Sequence, residues 1–198
     1  MEKRYRDLNK KPGGGPLENG SPGSYEKYMA LALDQAAAAL AQGEFPVGCV
    51  IVQNGRVVAL GARSGTGRPA GSHAVMNEVD HAEIQALKNL AACPDPVLPE
   101  KCTLFSTMEP CLMCFGAILI SGIKTVVYAF EDPMGGGTGC DLTSLPPLYR
   151  DRRIQLTGGI CRQKSLDLFF DFFNKGKNLY WRGSFLDRYV REQKQILR

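Results

Sequence analysis

Histidine is scarce in this sequence, with two residues among 198, and every His-rich mechanism is thereby excluded. Cysteine occurs seven times. That is too few for a disulfide-stapled miniprotein, and the odd number rules out full pairing, so a reducing compartment is expected. No stretch approaches the ~20 consecutive apolar residues of a membrane span, and residues 1–24 contain no apolar signal-peptide core. These absences predict a cytoplasmic chain without membrane contact. What is present, 44% hydrophobic and 22% charged residues, suits one globular domain with a core.

The net charge of +4 hides an asymmetry. Arg150 to Arg198 holds twelve basic and five acidic residues, while the preceding 149 residues hold twelve and fifteen. A basic final quarter is the footprint of a polyanionic partner such as RNA, or simply of solvated helices.

Along the chain, residues 1–24 combine five glycines, three prolines and clustered Lys and Arg, the composition of a flexible tail. A domain is expected over 25–180, with 181–198 a basic C-terminal helix packed on it or extending it. From Tyr25 apolar residues recur at helical spacing up to Gly43, a natural C-terminal stop. Two β-branched runs, FPVGCVIV and RVVALGA, flank Asn54-Gly55, the pair that a tight hairpin turn needs. After a long polar loop from Arg63 to Asp80, helices near 81–92 and 110–120 alternate with the strands CTLFST and TVVYAF, a pattern that implies a sheet covered by helices. A strand near Arg153 to Leu156 and two more helices complete the map.

One constellation carries chemistry. His81-Ala82-Glu83 is followed by Pro110-Cys111-Leu112-Met113-Cys114. Cys111 and Cys114 are three apart at the start of an expected helix, so both sulfurs fall on one face, and the helix N-terminus favours thiolate. One imidazole and two thiolates are three ligands, the number of a catalytic zinc site with its fourth position open. Pro110 suits the first helical position. Glu83 is the spare carboxylate, a proton shuttle if His81 lies in the cap or first turn, or else half of a capping box with Asp80 as N-cap. A bare Cys-x-x-Cys redox pair leaves His81 and Glu83 unexplained. His73-Ala74-Val75 mimics the motif but lacks the carboxylate. Gly135 to Gly139 reads as a flexible turn.

The H-x-E…P-C-x-x-C signature, with Phe45-Pro46-Val47-Gly48, HAEIQAL, TMEPCLMC, Asp132-Pro133 and Asp171-Phe172-Phe173, resembles the bacterial tRNA adenosine deaminase-like branch of the cytidine/deoxycytidylate deaminase zinc-binding superfamily. The likeness runs from about Tyr25 to Phe173. It implies an α/β fold, a three-layer αβα sandwich with a central five-stranded mixed sheet, assembled as a homodimer. It also implies Zn2+ on His81, Cys111 and Cys114 and proton transfer by Glu83. Phe45, Val47 and Ala82 are the expected apolar walls, with Asp132 beside them. Phe172 and Phe173 either stack on the base or fill the core. The chain departs from the family where an asparagine normally reads the base: Arg63 or Ser64 stands there, with Asn77 as a candidate substitute, and Met134 replaces the usual lysine. The expected reaction is hydrolytic removal of a nucleobase amino group, foremost adenosine to inosine in tRNA bound through the basic quarter. The alternatives are a free base, nucleoside or nucleotide of guanine, cytosine or cytidine type, and a non-catalytic zinc-binding partner subunit.

Overall fold

The computed structural model describes residues 22–67, 76–175 and 178–196. The expected tail up to residue 21, and His73, lie outside them. Helix α1 (Pro22–Ala41) starts three residues before Tyr25, because proline is compatible with a first turn. The hairpin β1 (Gly48–Gln53) and β2 (Arg56–Ala62) follows, then α2 (Ala82–Ala91), β3 (Cys102–Met108), α3 (Leu112–Ser121) and β4 (Thr125–Phe130). The short α4 (Pro147–Arg150), absent from the sequence reading, precedes β5 (Gln155–Thr157), α5 (Arg162–Lys175) and α6 (Phe185–Ile196). Asn54 and Gly55, at φ 50° and 78°, make the tight hairpin turn.

The strands form one mixed sheet in the order β2-β1-β3-β4-β5. β1 is antiparallel to β2 and β3, and β3, β4 and β5 run parallel. Side chains alternate between faces with period two. Val50, Val52, Phe105, Val127 and Ala129 meet Met29, Ala32 and Leu33 of α1 on one side. Cys49, Ile51, Leu104 and Val126 meet Ala82 and Ala86 of α2 and Ile118 of α3 on the other. Helices on both faces give the expected three-layer αβα sandwich.

Two glycines set how closely these layers approach. A Cβ on Gly48 would lie 2.1 Å from the Ala32 carbonyl of α1, and one on Gly61 would lie 2.1 Å from the Ala82 carbonyl of α2. The hairpin is thus pressed by a helix backbone on each face, and the second contact fixes the N-terminal end of α2, where His81 and Glu83 lie. Leu186 and Val190 of α6 belong to the same core as α5. α6 is also held by the Tyr189 hydroxyl, which donates to Glu131 at 2.7 Å, and Glu131 is ion-paired with Arg162. No helix among the described residues is long and apolar enough to cross a membrane.

Candidate metal and catalytic site

The C-terminal ends of the parallel strands β3 and β4 open toward the N-termini of α2 and α3, the usual place for a site in an open α/β sheet. His81 is the N-cap of α2 and Cys111 the N-cap of α3, both with extended backbone, and neither side chain caps its own helix. They turn to each other instead, with His81 Nδ1 3.5 Å from Cys111 Sγ. Cys114, one turn into α3, completes a group whose ligand atoms lie within 4.8 Å of one another. Pro110 therefore precedes the cap rather than opening the helix, and Asp80 is not an N-cap. Its carboxylate is taken by Lys88 Nζ at 2.7 Å and Asn77 Nδ2 at 2.6 Å.

Glu83 is buried in the second position of α2, and its carboxylate faces the cluster rather than the helix end. Ser106 Oγ of β3 donates to Oε1 at 2.8 Å and Cys114 Sγ to Oε2 at 3.4 Å. The capping-box alternative is thereby excluded. Burial pushes the Glu83 carboxyl up, partly offset by the Ser106 bond. A hydrogen bond from the Cys114 thiol holds Cys111 down to about 4, with His81 adding to the effect against burial. Cys114 is pushed up by that same bond, by burial and by Glu83. Two thiols and a carboxylate converge on one imidazole, so the donor set is short of positive charge, and a divalent cation taking both sulfurs as thiolates fits it. His81, Cys111 and Cys114 match the ligand types and number of an open zinc site.

The glycine run expected to be a flexible turn is a packed support. The Gly137 amide donates to the Pro110 carbonyl at 2.9 Å, and Gly136 bridges to Cys111. A Cβ on Gly137 would sit 2.6 Å from the Leu112 backbone, and one on Gly136 would sit 2.5 Å from Glu109 Cδ. Buried Glu109 accepts the Asp132 amide at 3.1 Å and the Thr138 hydroxyl at 2.5 Å, tying this loop to the turn that carries Cys111. Neither Ser106 nor Glu109 was singled out from the sequence. Glu109 has a signal in the Met-Glu-Pro-Cys context, whereas Ser106 has none.

Above the cluster is a cleft of about 530 Å³ including its open mouth. Phe45, Val47, Ala82 and Asp132 line it, joined by Met108 and Leu186. The Asp132 carboxylate accepts the amides of Met134 and Gly135, both at 2.9 Å. Phe172 and Phe173 do not reach the cleft. They are 1% and 2% exposed and stack behind Phe45 at 5.3 and 6.2 Å, because helix α5 turns its aromatic stripe into the core. Asn77 is also corrected: its Oδ1 accepts the Val79 and Asp80 amides and its Nδ2 reaches Asp80, an Asx turn that consumes the side chain locally. At the position of the family's asparagine, Arg63 lines the cleft, 3% exposed, with Tyr180 and Trp181. Burial pushes the Tyr180 hydroxyl up to about 12, which keeps it a neutral donor.

Donor set, buried carboxylate and sheet order fall within one class, the zinc-dependent deaminases. Within that class the chain belongs to the cytidine and deoxycytidylate deaminase zinc-binding family, whose model matches residues 22–130. A tRNA-specific adenosine deaminase of Streptococcus pyogenes serotype M18 is 31% identical over 150 residues, covering 76% of this chain and 90% of that protein. One from Haemophilus influenzae is 34% identical over 151 residues, covering 76% and 83%. Among solved structures, a deaminase from a study of A-to-I editing at the wobble position of transfer RNA aligns with a TM-score of 0.58 at 29% identity, over 72% of this chain and 98% of that one. A variant of the protein NE0047 in complex with 8-azaguanine aligns with a TM-score of 0.56 at 25% identity, over 75% and 84%.

Proposed function

We propose that this chain hydrolytically deaminates a nucleobase, with adenosine in tRNA as the foremost substrate. The observation that carries the reading is Glu83, buried within 3.4 Å of Cys114 and with no structural duty as a helix cap. His81, Cys111 and Cys114 would hold zinc, which when bound supplies Lewis acidity that brings the pKa of water toward neutrality. Glu83 accepts the proton released as water adds to the amino-bearing carbon. It passes that proton to the adjacent ring nitrogen, then takes the remaining proton from the new hydroxyl as it becomes the carbonyl and delivers it to the departing amine, so that amine and water become carbonyl and ammonia. Ser106 holds the carboxylate in place through Oε1, leaving Oε2 toward the cluster. Phe45, Val47 and Ala82 exclude water around a flat base.

The adenosine reading draws on the curated relatives, and a splayed anticodon base is reachable without melting a duplex. Phosphate contacts fall to the exposed Arg152 and Arg153 beside α4 and to the exposed Arg188 of α6. There, Arg191 pairs with Asp187 at 2.7 Å, Lys194 pairs with Asp167, and Arg188 donates to the Gly183 carbonyl at 2.8 Å. We take residues 25–180, with the C-terminal helix packed on them, as one functional unit, acting as a homodimer in the cytoplasm, where seven free cysteines are compatible with the redox state. A second reading, deamination of a free purine base, is favoured by Arg63 in the cleft, a donor-only side chain suited to an acceptor on the base edge.

Ammonia release from zinc-loaded protein, measured with tRNA, adenosine, guanine and cytosine side by side, tests both readings. Inosine in tRNA with no release from free bases supports the first. Release from guanine alone supports the second, and no release from any of the four rejects both.

A further inference from the structure

The family model ends at residue 130, yet Tyr180, Trp181 and Leu186 line the same cleft as His81, Glu83 and Cys111. A segment near the C-terminus thus roofs the site. Its tethers come from distant parts of the chain. Asn178 Nδ2 donates to the carbonyls of Gly43 at 2.8 Å and Thr66 at 3.0 Å. The Tyr180 hydroxyl donates to Glu78 Oε2 at 2.8 Å, the oxygen that Arg63 also approaches, at 3.4 Å. The Tyr180 ring packs edge-on against Phe45 at 5.4 Å. The segment before His81 and the C-terminal segment beyond the family likeness therefore meet at Glu78.

Trp181 is carried at the tip of this anchored turn. Its backbone is left-handed, φ 58°, a conformation that bulky residues seldom adopt and that marks a position set by its surroundings. Its ring lies against Tyr180 at 5.4 Å, and the residue is 37% exposed at the mouth of the cleft. An indole tethered there presents an apolar surface to whatever enters.

We infer that Trp181 is the stacking face that holds the target base in this enzyme, positioned by the Tyr180–Glu78 hydrogen bond. The inference rests on the deaminase reading and names its ligand: a planar nucleobase whose amino edge faces His81, Cys111 and Glu83 while its ring lies on the indole. Stacking tolerates many bases because every base has a π-face. Trp181 therefore sets how tightly a base is held, and the polar groups below it set which base reacts.

Trp181 is the sole tryptophan of the chain, so its fluorescence reports this position alone. Zinc-loaded Glu83→Gln protein, which binds without turnover, is titrated with adenosine, guanine, 8-azaguanine and an anticodon stem-loop RNA while calorimetry measures binding independently. Quenching that follows the calorimetric isotherm is the expected result. With Glu83 intact, Trp181→Ala should raise KM about five- to a hundredfold with a much smaller change in kcat. Trp181→Phe should recover most of that loss, with zinc content and Tm preserved in both variants. A probe that binds by calorimetry yet leaves the fluorescence unchanged, or a Trp181→Ala protein with the parent KM, overturns the inference while leaving the deaminase reading intact. Absence of calorimetric binding by every probe overturns that reading, and the inference with it.

Discussion

His81 and Cys111, on the floor of the cleft, are 30 residues apart, and each is the N-cap of a helix packed on the sheet. Tyr180 and Glu78, in the roof, are 102 residues apart, and both lie outside regular secondary structure. The floor is held by backbone that the fold must build anyway: cap conformations, the glycine support, and a serine on a central strand. The roof is held by a few side-chain bonds between distant loops. The metal-binding side chains therefore sit on elements packed against the sheet, while Tyr180 and Trp181 reach the cleft from a turn outside it.

Substitutions that separate floor from roof sharpen this contrast. The largest effect is expected for Glu83→Gln, which should lower kcat by at least about 10²- to 10⁴-fold, the usual contribution of a positioned acid–base group. Zinc content and Tm should stay near those of the parent, because Glu83 caps no helix. A large fall in Tm with activity retained would return Glu83 to a structural role.

Gly137→Ala strikes the floor indirectly. Its Cβ would meet the Leu112 and Cys111 backbone at 2.6 to 2.8 Å, and overpacking of this kind costs about 1–3 kcal/mol. The N-cap that presents Cys111 must shift, so zinc per chain should fall together with Tm. Equal zinc content in the two proteins would mean that the glycine loop does not support the ligand turn.

In the roof, Tyr180→Phe removes one hydrogen bond and should cost about 1 kcal/mol or less. KM should rise while kcat holds, and a chelator should strip zinc faster because the cover opens more often. An unchanged stripping rate would show that the roof does not control access to the floor.

The smallest effect concerns acid. Burial opposes charge on Glu44, but the Thr66 hydroxyl and the amides of Gly67 and Thr66 hold its carboxyl below 4.5. A lowered pKa gives stabilisation that is complete above the unfolded value and is lost as pH falls through the folded one. Amide protection at Thr66 and Gly67 should therefore weaken below about pH 4.5 while the β3 amides stay protected. Glu44→Gln should abolish that pH dependence.

Much of the floor was legible in the sequence because its residues have few other uses. A histidine, a carboxylate and two cysteines at helical spacing constrain one another chemically wherever the chain runs. The sheet and its helices were legible from alternation and from Asn54-Gly55. The caps were misread, by one residue at Asp80 and by two at Pro110, since both have strong local preferences that the convergence of His81 and Cys111 overrides. Phe172, Phe173 and Asn77 look the same in sequence whether they serve a ligand, a core or a turn, and only packing decides. Ser106 carried no signal, because a serine on a strand means nothing until Glu83 is placed beside it. The roof was legible only as two oddities, a long loop and a long tail, whose meeting at Glu78 depends on tertiary docking.

The position of the roof near the chain's C-terminus also has a consequence in time. Synthesis runs from the N-terminus and domains form as they emerge, so His81, Cys111 and Cys114 all leave the ribosome well before Trp181. Until residues 178–186 dock, the cleft lacks the cover of Tyr180, Trp181 and Leu186, so an ion that arrives in that interval would enter by a wider route than the one by which it leaves.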